Sequence, residues 1–217
     1  MFDAEFYRHN RSVLSNRIKY GVVVMAGNAR MQRTGDTNYP FRQDSDFLYL
    51  TGVSEPRACL VIDIDEGTEF IMIDKNTGVS AIFDGNFEPS ELIRISGITD
   101  IRSYREGLAY LNNMPKAKKV YFNETKKRFI SEATLNGFRQ TIKRRLSASG
   151  FKTEDVGPHL AELRMIKQPL EISAIRQAVE ITKRSLNEVE SSISTAENEQ
   201  DLLKVLNTQF ILSLIHI

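Results

Sequence analysis

The chain has a single cysteine, Cys59, among its 217 residues, so an intrachain disulfide is excluded. Its setting in "ACLVIDI" marks it as a small buried hydrophobe, and no neighbour is placed to depress its pKa and make the thiol reactive. An excess of one charge sign is also lacking: 29 basic side chains face 28 acidic ones, so overall charge singles out no partner. No stretch approaches the ~18 apolar residues of a membrane span. The opening "MFDAEFYRHNRS" has no apolar run of the kind a signal peptide needs. These absences point to a cytoplasmic protein with no membrane partner. Serine nucleophile elbows, glycine-rich phosphate loops and paired C-x-x-C motifs are missing as well.

What is present is the composition of a globular protein, 41% hydrophobic and 26% charged with no low-complexity tract. The length suits one large domain, or one domain with a fragment of another. Residues 3–18 set Phe6, Val13, Leu14 and Ile18 near helical spacing behind Asp3, a candidate N-cap. "GVVVMAG" then reads as a buried strand and residues 28–46, polar and containing Gly35 and Pro40, as a loop.

Residues 47–51, "ACLVIDI" and "EFIMID" read as three strands divided by Gly52 with Pro56 and by the turn at Asp65, Glu66 and Gly67. Their continuous apolarity predicts a sheet covered on both faces, hence an α/β fold. Helix signals follow in "EPSELIRIS" before Gly97, at 104–112, and from about 128 to 147 before Gly150, with the strand "KVYFN" between the last two.

From residue 158 the character changes. Pro169 suits a first helical turn, and Ile172, Ile175, Val179, Thr182, Leu186, Val189 and Ile193 step by three and four. "ENEQDLLKVLNTQF" reads as a second helix. Two such helices cannot build a core of their own, so the expectation is a domain at 1–157 followed at 158–217 by the opening of a second, incomplete one. The terminal "ILSLIHI" is uncapped and unlike what precedes it, and reads as out-of-register or foreign sequence.

The most conspicuous cluster of charge is the run "YPFRQDSD" ahead of residue 47. Asp44 and Asp46 could offer two carboxylates to a divalent cation, and Asp63 with Asp65 repeats the spacing. Hard cations want about six oxygen ligands, and neither stretch supplies more acids in register. Turn-forming acids are the better account, with Arg42 pairing to Asp44, Asp46 or Glu55 and fixing where the next strand begins. His9, His159 and His216 lie in no ligand spacing. The basic stretches "KAKKVYFNETKKR" and "RQTIKRR" could touch phosphates with Tyr121 and Phe122 stacking on bases, but both aromatics fall in a core strand, so no nucleic-acid partner is expected.

With those residues in view, "YPFRQDSDFLYLTGVSEPRACLVID" resembles the signature of the N-terminal domain of aminopeptidase P, in the creatinase and prolidase group. Tyr39, Arg42, Gln43, Ser45, Asp46, Phe47, Tyr49, Thr51, Gly52, Glu55 and Pro56 fall in unbroken register. "ELRMIKQPLEISAIRQAVEIT", with Arg164, Lys167, Glu171 and Ile172, resembles the linker helix leading into that family's pita-bread catalytic domain. The resemblance implies a mixed sheet covered by helices, followed by the leading helices of an α+β domain. It implies a parent metallopeptidase that removes an N-terminal residue preceding proline and acts as a homo-oligomer, a dimer or tetramer. The parent would carry two manganese ions held by two aspartates, a histidine and two glutamates.

None of those ligands has a counterpart in this chain, which is expected to bind no metal, to have no catalytic residue and to be inactive alone; His216 is not carried over. In several members an aromatic in a Trp-x-Gly motif reaches a neighbouring subunit's active site. Phe83, in Phe83-Asp84-Gly85, is the nearest position here, and a plain packing role competes with that one. Asp44 completes the set of structural motif residues. The competing class is a non-catalytic interaction module of the same group.

Overall fold

The computed structural model describes residues 2–124 and 137–212. They divide into two compact units, Met1–Met165 and Ile166–Ile217.

The first unit is a mixed six-stranded sheet clothed by helices. Helix α1 (Ala4–Ile18) starts where the Asp3 carboxylate accepts from Phe6 N at 2.9 Å, and it buries Phe6, Tyr7, Leu14 and Ile18. Strand β1 (Val22–Ala26) is buried along its whole length. A small exposed hairpin follows, β2 (Gln32–Thr34) and β3 (Thr37–Asn38), within the stretch expected to be a loop. Then come α2 (Ser45–Thr51), β4 (Cys59–Asp63), β5 (Thr68–Met72), α3 (Val79–Asp84), α4 (Pro89–Ser96), β6 (Ile101–Arg102), α5 (Tyr104–Asn113), β7 (Val120–Phe122), α6 (Gly137–Ala148), β8 (Thr153–Asp155) and α7 (Gly157–Met165).

Sheet order is β6-β5-β4-β1-β7-β8. Strands β1, β4 and β5 pair antiparallel, while β6, β7 and β8 join their neighbours in parallel. Alternation along β1 shows why its apolarity is continuous. Val23 and Met25 belong to a core with Phe6, Phe47 and Leu50, whereas Val22, Val24 and Ala26 belong to a second core with Phe122, Phe138 and Ile142. A strand buried on both faces has no polar side to present.

Residues 47–51 correct the sequence reading. They are not a strand but the body of α2, a two-turn helix that buries Phe47, Tyr49, Leu50 and Thr51 beneath the sheet. Asp44 caps it by accepting from Asp46 N at 3.1 Å and Phe47 N at 2.9 Å. At the other end Gly52, with φ +68°, donates its N–H to Leu48 O at 2.8 Å. An acid at the N-cap and a left-handed glycine just past the end specify a helix even where the residues between are uniformly apolar. Helix α6, expected from about residue 128, is described from Gly137; residues 128–136 lie outside the described residues.

The second unit holds α8 (Pro169–Ser192) and α9 (Glu199–Leu212), which pack on each other. Pro169 occupies the first turn of α8, where its missing N–H costs nothing. The Glu171 carboxylate reaches back to accept from Gln168 N at 2.9 Å. The sequence boundary at residue 157 coincides with the start of α7, whereas the compact units part at its end.

Candidate functional site

The charged run before α2 is a joint. Gln43, only 5% exposed, receives Asn28 N at 2.6 Å and Asp44 N at 2.9 Å on Oε1 and donates Nε2 to Glu55 O at 2.8 Å. One amide therefore ties the segments around residues 28, 44 and 55 together. Beyond its cap, Asp44 pairs with Arg139 of α6 at 2.6 Å, and Asp46 pairs with Arg164 of α7. Tyr49 packs edge-on against Phe6 with centroids 5.7 Å apart, and the Arg164 guanidinium lies 5.3 Å from its ring centre.

Arg42 does not fill the role expected of it. Its side chain is exposed, and among the described residues no carboxylate lies in ion-pair range of it; its backbone carbonyl accepts from Asn28 Nδ2 at 2.9 Å instead. The pinning cations are Arg139 and Arg164, far along the chain, which sequence spacing alone could not have paired with Asp44 and Asp46. A third cation escaped the sequence reading altogether. Arg11, 1% exposed, makes a two-pronged pair with Glu69 at 2.8 Å and donates Nη1 to Leu50 O at 2.8 Å and Ser96 O at 3.0 Å. The carbonyls at the end of α2 and α4 are thereby satisfied by one buried side chain.

Phe83 sits elsewhere, on α3. It is 83% exposed and its neighbour Ile82 79% exposed, an apolar tip on the surface of this unit. The loop carrying them is closed at its base. Asn76 N donates to Asn86 Oδ1 at 2.6 Å, Asn76 Nδ2 donates to Gly85 O at 2.8 Å, and Arg30 pairs with Asp84 at 3.1 Å. A pinned base with a projecting tip limits the entropy lost when the tip is covered.

The remaining sequence candidates have ordinary structural partners. Asp63 is buried and accepts from Lys118 Nζ at 2.7 Å and from the Tyr110 hydroxyl at 2.8 Å, while Asp65 accepts from Gly21 N at 2.8 Å. Burial pushes the Cys59 thiol well above its ordinary pKa, which opposes thiolate chemistry. Tyr121 and Phe122 are buried in β7. His9 is exposed, His159 stands edge-on to Tyr121 with centroids 5.9 Å apart, and His216 lies outside the described residues. Among the described residues no three His, Cys, Asp or Glu side chains come together as metal ligands, so these residues do not fit a dimanganese centre. None of the described helices is long and apolar enough to cross a membrane.

Comparison with known proteins places this geometry. The family model "Aminopeptidase P, N-terminal domain" matches residues 7–140. The Xaa-Pro aminopeptidase of Haemophilus influenzae is 26% identical over 209 residues, covering 94% of this chain and 47% of the relative. Intermediate cleaving peptidase 55 of Saccharomyces cerevisiae is 25% identical over 226 residues, covering 95% of this chain and 43% of the relative. The solved proline aminopeptidase P II of Yersinia pestis superposes with a TM-score of 0.79 at 19% identity, covering 98% of this chain and 50% of that one. The chain thus spans about half the length of these relatives, and the superposition is evidence of a shared fold.

Proposed function

This chain belongs to the aminopeptidase P N-terminal domain family, and from that premise we propose that it is the N-terminal part of a metal-dependent Xaa-Pro aminopeptidase, which removes the residue standing before an N-terminal-side proline. The chain supports assembly of a homo-oligomer and shapes the entrance to the catalytic centre, and the 217-residue chain does not cleave peptides alone. Manganese belongs to the parent enzyme and is held by residues other than those described here.

The observation that carries this reading is the apolar tip of Ile82 and Phe83 on a loop tied down by Asn76 and Asn86. Such a tip suits contact with a neighbouring copy, where its burial would contribute about 1.5–3 kcal/mol per large side chain. Phenylalanine supplies an apolar plate there without the N–H that an indole would offer.

The test uses the full-length protein that contains this chain. Phe83→Ala is expected to raise KM for a Xaa-Pro peptide at least fivefold or to weaken the oligomer, both readable by steady-state kinetics and light scattering. Unchanged kinetics and assembly would remove the entrance role. Xaa-Pro cleavage by the purified 217-residue chain would overturn the division of labour.

A further inference from the structure

Two adjoining cavities of the first unit share Ala29, Arg57, Asp74 and Tyr104. One, of about 360 Å³, has an apolar wall of Leu108, Phe138 and Ile142 with Arg145 on its lining; the other, of about 450 Å³, is lined by Arg30 and Lys75 among others. Both fall in the size range of small-ligand pockets, roughly 300–1,000 Å³. The second shares Arg30, Asn76 and Asp84 with the base of the apolar tip, whereas the first has no residue in common with it.

Their charge is unbalanced. Among the described residues no carboxylate lies in ion-pair range of Arg57, Lys75 or Arg145. The two carboxylates on the lining are engaged: Asp74 accepts from Tyr104 N at 2.9 Å, and Asp84 pairs with Arg30. The Arg57 guanidinium lies 5.8 Å from the Phe138 ring centre, held beside the apolar wall.

Backbone strain points to the same residue. Arg57 has φ +58°, a left-handed conformation that a side chain of this size rarely adopts. It is held there from both sides, its N–H donating to Asn28 O at 2.7 Å and its carbonyl accepting from the Tyr104 hydroxyl. Burial raises the pKa of that hydroxyl, so it remains a donor throughout the neutral and mildly alkaline range. Strain that the surroundings enforce on a non-glycine residue gathers at ligand clamps.

We propose that this cleft binds an apolar group bearing a carboxylate, the C-terminal residue of a short peptide, with the side chain against Leu108, Phe138 and Ile142 and the carboxylate on Arg57 and Arg145. Planar guanidinium groups match carboxylate geometry with two parallel hydrogen bonds, and the apolar wall selects against bare inorganic anions. The assignment stands apart from the peptidase reading, because it requires binding and no cleavage.

The test is a ligand-observed NMR titration of the 217-residue chain with N-acetylphenylalanine, its amide and 3-phenylpropionate. N-acetylphenylalanine is expected to bind at least tenfold more tightly than the amide, and more tightly than 3-phenylpropionate. Equal binding of acid and amide, or no binding of either, overturns the site; equal binding of 3-phenylpropionate overturns the peptide terminus as occupant. Arg57→Gly removes the guanidinium while suiting φ +58°, so its melting temperature should not fall, and affinity for N-acetylphenylalanine should drop at least tenfold. Arg145→Gln should weaken the same ligand severalfold. Undiminished affinity in both folded variants would refute the assignment.

Discussion

At the scale of single residues the fold is held by groups whose surroundings leave them no alternative. A Cβ added to Gly52 would stand 2.4 Å from Tyr7 Cε2 and 2.9 Å from Ile95 Cγ2, on a backbone already at φ +68°. Tyr7 is buried and cannot yield. Gly52→Ala should therefore cost about 3 kcal/mol, a left-handed penalty of ~1–2 plus overpacking of ~1–3. Gly67, at φ +63° with nothing within 4 Å of its added Cβ, isolates the backbone part, and Gly67→Ala should cost about 1–2 kcal/mol. Urea unfolding of the two variants checks the difference, and equal losses would sink the crowding argument.

Lys118 offers a pH test at the same scale. Burial alone would lower its pKa, but the hydrogen bond and charge of Asp63, with Asp65 and Glu66 beyond, outweigh it and the net direction is upward. A cation whose folded pKa exceeds the unfolded value of about 10.4 lends stability that is complete below that pH and fades as pH rises through the folded value. The urea midpoint should thus fall more between pH 9 and pH 11 in the native chain than in Lys118→Met. Parallel declines would show that Lys118 is not the source. Neither Lys118 nor Arg11 was legible as a hub in the sequence. Their acidic partners Asp63 and Glu69 are brought near by pairing of β4 with β5 and by the packing of α1, contacts that no local spacing encodes. Phe83, by contrast, is a candidate only through family likeness, since one exposed phenylalanine on a short helix has no periodic signature.

At the scale of elements, the buried strands β1, β4, β5 and β7 were readable from their apolar runs, and helices α1, α4 and α8 because period and caps agreed: Asp3 before α1, Gly97 at φ +71° after α4, and Pro169 at the start of α8. The two- and three-residue strands β2, β3, β6 and β8 are too short to show a pattern. Helix α2 was misread because five uncharged residues are too few to display a period, and a short apolar run serves a buried strand or a buried helix equally well. Its caps carried the missing information. Asp44 does two separable jobs there, capping α2 and pairing with Arg139. Asp44→Asn keeps an N-cap oxygen while removing the charge, and Asp44→Ala removes both. Loss of the cap costs roughly 0.5–2 kcal/mol, and breaking a largely buried pair costs up to about 3–5. Asp44→Ala should therefore unfold at lower denaturant than Asp44→Asn by the cap's share alone. If the two variants are equally unstable, the cap contributes nothing and α2 is held by burial of Phe47 and Leu50.

At the scale of the whole molecule, the two units differ in what they bury. The first encloses two cores, one on each face of its sheet, and its charged joint is internally paired. The second keeps Leu170, Ile175, Val179, Leu186 and Ile193 about half exposed or more along α8, an apolar seam that a two-helix unit has no means of covering by itself. Contiguous exposed apolar surface of this kind drives association. The 217-residue chain should therefore self-associate with rising concentration, and Val179→Glu with Leu186→Glu should shift it toward monomer with helicity unchanged. Light scattering across a concentration series and circular dichroism read the two effects separately. A monodisperse monomer at all concentrations would mean the seam is covered within the chain. Association that persists in the double variant would move its source to the Ile82 and Phe83 tip, where Phe83→Ala should then disperse it.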